Sequence, residues 1–109
     1  MSDKKAEVQE LPFQWAIMKQ MNPELYTKCS EWRQCLFKNE VIPPKYKELM
    51  MVAMFCAIRN GIGAKTHAKF AVAKGATKEE LFATVAQSML VGGVPGYREA
   101  MSAMQEFFQ

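Results

Sequence analysis

Apolar and polar positions along this chain recur at the three- and four-residue spacing of helices, and nowhere at the alternation of strands. The densest stretch is Leu49 to Ile58, LMMVAMFCAI, apolar without interruption. Ten residues of helix rise only about 15 Å, half a bilayer, so the run predicts a buried helix and no membrane span. Being apolar all round, it needs cover on every side, and a chain this short has few other helices to supply it. Part of the cover is therefore expected from a second subunit.

Around this helix the pattern predicts five more. Pro12 opens a short helix to about Met21, with Phe13, Ala16, Ile17 and Met21 on one face. Asn22-Pro23 caps and starts a second, marked by Leu25, Cys29, Trp32 and Leu36 and ending near Asn39. Pro43-Pro44 starts the central helix. Gly61 and Gly63 connect it to a fourth, with Ala64, His67, Ala68, Ala71 and Val72 on neighbouring faces, closed at Lys74-Gly75. Thr77 and Glu80 form a capping box for a fifth, and Leu81, Phe82, Val85, Ala86 and Met89 are its buried stripe. VGGVPG predicts a loop, and Tyr97, Ala100, Met101, Met104 and Phe108 line a sixth helix. The expectation is an all-α fold of about six helices, a mobile tail over residues 1–10 and one domain over 11–109.

Composition narrows the function. At 109 residues, 50% apolar and a formal charge of +3, the chain is globular. Its lysines alternate with acids, so no nucleic-acid groove is expected. The charged start MSDKKAEVQE lacks a signal-peptide core, which makes the cytoplasm the default compartment. Three cysteines and one histidine fit neither a disulfide scaffold nor a zinc site, and no metal or cofactor is expected. Cys29 and Cys35, about 9 Å apart along one helix, read as packing residues.

The polar residues around the central helix carry the candidate chemistry. Glu48 precedes His67 by nineteen positions, AKGATKEEL follows at 73 to 81 and GGVPGYREA at 92 to 100. From Pro43 to Ala100 the chain resembles the carboxymuconolactone decarboxylase family, which includes the AhpD-type alkylhydroperoxidases. Their pattern is a glutamate, eleven residues, then C-x-x-C-x-x-x-H. The two family cysteines fall on Asn60 and Gly63, neither of which can attack a peroxide or resolve a sulfenic acid. Dithiol peroxidase activity is therefore not expected, and the chain is closer to the branch that lacks the cysteine pair.

That resemblance implies an AhpD-like helical fold and a homo-oligomer, a trimer or a hexamer built as a trimer of dimers. It also implies a decarboxylase-like lyase acting on a small carboxylate or lactone, with His67 as general acid/base and Glu48 orienting its ring. Loss of carbon dioxide from a lactone acid leaves a carbanion or enolate, which needs a proton donor and a positive charge. Arg59, Asn60, Lys65, Lys69 and Tyr97 are candidates to hold the substrate. In an ideal antiparallel helix pair Glu48 and His67 sit about 8 Å apart along the axis, so direct contact requires inclined helices, a bridging water or another route. Cys56 is nearer to His67 in depth and offers a weaker alternative, a thiolate-imidazole redox site. The remaining alternative is a non-catalytic or ligand-binding oligomer on the same scaffold.

Overall fold

The computed structural model describes residues 11–109; the expected tail over 1–10 lies outside them. The described residues hold five α-helices, a terminal 3₁₀ turn and no strand. They are α1 (Phe13–Met21), α2 (Pro23–Lys38), α3 (Pro44–Ala57), α4 (Gly61–Ala73) and α5 (Lys78–Ala103), then Gln105–Phe108. The sequence predicts one domain over 11–109; the contacts group the chain into two compact units, one ending at Asn39 and one spanning Glu40–Gln109.

The first unit is a helical hairpin turned on Asn22, whose side chain accepts from Leu25 N–H at 3.0 Å while its own N–H donates to Met18 O at 2.8 Å. Its packing rests on cations over aromatic rings: Arg33 lies 4.7 Å from the Trp15 centroid and 5.7 Å from that of Phe37, and Lys19 lies 5.6 Å from that of Tyr26. The stripe expected on α2 is not its covered face. Leu25, Trp32 and Leu36 are exposed, as are Phe13, Ile17 and Met21 on α1, while Tyr26, Cys29, Ser30 and Arg33 are half-buried. Cys35, expected to pack, is exposed too.

In the second unit α3 packs against both α4 and α5. Leu49, Val52 and Cys56 of α3 meet Ala64, Ala68 and Ala71 of α4 and Leu81, Val85 and Ala100 of α5, with Met104 closing the end. The alanine stripe lets α4 approach closely, since no side chain longer than a methyl intervenes. One face of α3 stays bare: Met50, Met54 and Ile58, at successive spacings of four, are exposed.

The fold has five helices and not the six expected, because VGGVPG is not a loop. Only Gly93 leaves helical geometry, at φ 70° and ψ −174°, a conformation essentially reserved for glycine. The chain kinks there and resumes, with Pro95 in the first turn of the second half, where its missing N–H costs nothing. Gly92 and Gly96 serve a different end, because a β-carbon would come within 2.7 Å of Ala57 Cα at the first and 2.5 Å of Cys56 O at the second. The kink thus lays α5 directly on the backbone of the end of α3.

Candidate active site

Glu48 sits in the second turn of α3, one residue before the buried Leu49, and His67 projects from the middle of α4. His67 Nδ1 lies 2.8 Å from Glu48 Oε1, a direct bond where the ideal-helix geometry leaves an 8 Å axial gap. An ionised carboxylate only accepts, so against an ionised Glu48 it is Nδ1 that donates, and in the neutral form of the ring Nε2 is then the lone-pair nitrogen. Nε2 bonds to no described residue. Both side chains are mostly buried, His67 at 20% and Glu48 at 17% exposure, so the pair is held yet reachable.

Aromatic rings fix the imidazole. Phe55 stacks on it at 5.3 Å between centroids and 16° between planes, and Phe70 meets it edge-on at 5.4 Å and 83°. Lys74, at the end of α4, reaches Glu48 Oε2 at 3.7 Å. Sequence reasoning missed these three neighbours. Phe70 and Lys74 follow His67 by three and seven positions, the spacing that keeps side chains on one helix face, so their signal was present.

The expected substrate-holding residues make other contacts within the chain. Asn60 caps α4, its side chain accepting from Gly63 N–H at 2.9 Å. Arg59 ends α3 in the left-handed region, φ 61°, with its N–H on Cys56 O and the next N–H, of Asn60, on Phe55 O, the hydrogen bonds of a Schellman turn. Its exposed side chain lines a hollow with Gly61, Ile62, Glu99 and Ser102, a group that does not include His67. Lys65 pairs with Glu106 at 3.3 Å, and Lys69 is exposed. Tyr97 meets Phe82 edge-on at 6.4 Å and packs on the core. Arg59, Asn60, Lys65, Lys69 and Tyr97 make no hydrogen bond, ion pair or ring contact with His67.

Cys56 is a core residue. Its side chain is wholly buried, and burial pushes the thiol above its ordinary range, only partly offset by the Ser88 hydroxyl. The thiolate needed for redox chemistry is disfavoured there. The position of the second family cysteine is closed as well: a β-carbon on Gly63 would meet Phe55 Cδ1 at 2.5 Å, so the ring that stacks on His67 fills the space a thiol would need. Among the described residues no group of histidine, cysteine and carboxylate side chains is arranged to hold a metal ion, and no helix is long and apolar enough to cross a membrane.

The fold has a solved counterpart. A crystal structure from Burkholderia xenovorans LB400, described as a candidate carboxymuconolactone decarboxylase, superposes with a TM-score of 0.75 over 98% of this chain and 86% of that one at 24% identity. At that identity the likeness speaks for the fold alone. None of the curated proteins matches the sequence. The family model of the carboxymuconolactone decarboxylases matches residues 23–106, which takes in α2 through α5 and both members of the Glu48–His67 pair, and the chain therefore belongs to the carboxymuconolactone decarboxylase family.

Proposed function

We propose that this protein is a decarboxylase-like lyase acting on a small carboxylate or lactone, with His67 as general acid/base and Glu48 as the group that orients it. One observation carries the reading: a half-buried imidazole bonded at 2.8 Å through Nδ1 to a carboxylate, with Nε2 bonded to no described residue. That is the geometry of a ring held in one tautomer for proton transfer at the other nitrogen. Nε2 of the neutral ring first takes the proton of the substrate's carboxylic acid; when that carboxylate leaves as carbon dioxide, the carbon–carbon pair passes into the conjugated carbonyl as an enolate, and the imidazolium returns the same proton from Nε2 to carbon. Glu48 stabilises the imidazolium, and Lys74 places a positive charge beside the same carboxylate. Family membership supports the reading, and the missing cysteine pair together with the space filled by Phe55 argues against dithiol peroxidase chemistry.

We also propose that the chain works as a homo-oligomer in the cytoplasm. Met50, Met54 and Ile58 bare one stripe of the apolar helix, Leu90 and Val91 are about four-fifths exposed, and Phe70 beside His67 is itself exposed. Stripes of that kind on a chain of 12.4 kDa mark contact surfaces. Sedimentation of a trimer or hexamer is the expected result, and a stable monomer at micromolar concentration overturns the assembly.

The test of the chemistry is turnover of a panel of small lactone acids by wild type and His67→Ala. Carbon dioxide release by the wild type, lost in the variant with its helical spectrum unchanged, supports the reading. Equal release by both proteins ends the assignment to His67.

A further inference from the structure

We infer that Lys74 is a positioning residue of this site: its ammonium draws Glu48 Oε2 and shares the carboxylate's charge, so that Oε1 stays turned to His67 Nδ1 while the ring remains free to gain and lose a proton at Nε2. The inference rests on the reading of His67 as the proton-transfer group.

Two geometric facts support it. Glu48 is engaged at both oxygens, Oε1 by His67 at 2.8 Å and Oε2 by Lys74 at 3.7 Å, and the carboxylate shared by the two contacts is only 17% exposed. The backbone of Lys74 is fixed at the helix end, while its side chain is 41% exposed. Its N–H bonds Phe70 O and Ala71 O, Gly75 follows at φ 97° with its N–H on Val72 O at 2.9 Å, and the N–H of buried Ala76 returns to Ala71 O at 2.9 Å. The ammonium then lies 5.8 Å from the centroid of Phe70, the ring that meets His67 edge-on. The fixed backbone brings a half-exposed side chain to the carboxylate behind the imidazole, and its charge falls there.

The consequence is chemical. A carboxylate alone against Nδ1 favours the imidazolium and holds its proton; a cation on the far oxygen withdraws part of that favour. The charged groups recorded at the pair are Glu48 from α3 and Lys74 from α4. Glu80 of α5 is paired with Lys45, and Glu106 of the C-terminal turn with Lys65.

Because the chain has a single histidine, its imidazole can be followed without ambiguity by nitrogen NMR in the full-length protein, whatever the substrate. The experiment titrates His67 in wild type, Lys74→Met, Lys74→Gln, Lys74→Arg and, as a control for net charge, Lys69→Met on the same helix. Loss of the cation is expected to move the midpoint upward in both Lys74→Met and Lys74→Gln, because the carboxylate then acts on the imidazolium undivided. Lys74→Arg and Lys69→Met are expected to stay within about 0.2 pH unit of wild type. Unmoved midpoints in both neutral variants overturn the inference, as does an equal movement in Lys69→Met. Failure of both neutral variants to fold also counts against it, because that makes Lys74 a structural residue. If His67→Ala abolishes turnover while the Lys74 variants titrate like wild type, the proposed reaction stands and this inference falls; the opposite pattern separates them the other way.

Discussion

Gly63 lies against the flat of the Phe55 ring, with three ring carbons within 2.7 Å of where its β-carbon would be, and that ring is stacked on His67. The smallest residue of α4 thus makes room for the aromatic platform of the imidazole. Gly63→Ala forces a rigid ring to move among packed neighbours and is expected to destabilise the protein by about 1–3 kcal/mol, as overpacking does. Thermal unfolding checks this, and an unchanged midpoint means the ring relocates freely.

The same contact governs the outcome of restoring the family's cysteine pair. Asn60→Cys removes the α4 cap, at about 1 kcal/mol, and Gly63→Cys meets Phe55 head-on. The double variant is expected to fold poorly and to reduce no peroxide in a thiol-coupled assay. Brisk peroxide turnover in it would show that the ring yields its place to sulfur.

Within the site itself the two polar residues are expected to fail differently. His67→Ala removes the proton-transfer group, worth about 10²- to 10⁴-fold in turnover. Glu48→Gln keeps an oxygen that can accept from Nδ1 but loses the charge behind it. Its loss is expected to be smaller, because the ring keeps its orientation and loses only the charge behind it. Turnover identical to wild type removes Glu48 from the chemistry.

How much of the structure is legible in the sequence depends on the range of each interaction. Caps are local, so Asn22, Thr77 with Glu80 and the glycine after Lys74 place helix ends to within a residue or two. The Glu48–His67 pair is legible through a fixed spacing, although straight-helix geometry sets the two apart. Arg59 and Lys65 are not, because a side chain's direction depends on partners far along the chain: Lys65 turns to Glu106, and Arg59 is committed to a left-handed turn that sequence alone does not announce in a non-glycine residue. The GGVPG segment reads as a loop because three glycines there serve two purposes, one a kink and two a close helix approach, and composition cannot divide them.

Cys56 offers a direct reading of core integrity. Buried, with its thiol pushed up by desolvation, it is expected to react with a disulfide reagent at neutral pH far more slowly than exposed Cys35, and only through opening of the fold. Labelling followed by mass mapping checks the order of reaction. Cys56 modified as fast as Cys35 in the native protein contradicts the burial on which its exclusion from redox chemistry depends.

The join between α3 and α5 is expected to carry a pH dependence of its own. Glu80 accepts from Thr77 N–H at 3.0 Å and from Lys45 at 3.1 Å. The Thr77 bond first, then Lys45, hold its carboxyl below the ordinary carboxylate range, and the Glu80 bond raises Lys45 above its own. A carboxyl depressed in the folded state contributes stability above its unfolded value, and that contribution is lost as pH falls through the lower folded value. The lysine's contribution is present below its unfolded value and lost as pH rises through the higher folded one, well into the alkaline range. Glu80→Gln keeps the reciprocal cap, since glutamine serves in the capping box, and removes only the charge. The stability difference between wild type and this variant should therefore be present near neutrality and vanish as pH falls below the ordinary carboxylate range. Thermal unfolding of both proteins from pH 7 downward measures it, and a difference that persists undiminished in acid places the contribution of Glu80 in its shape and not in its charge.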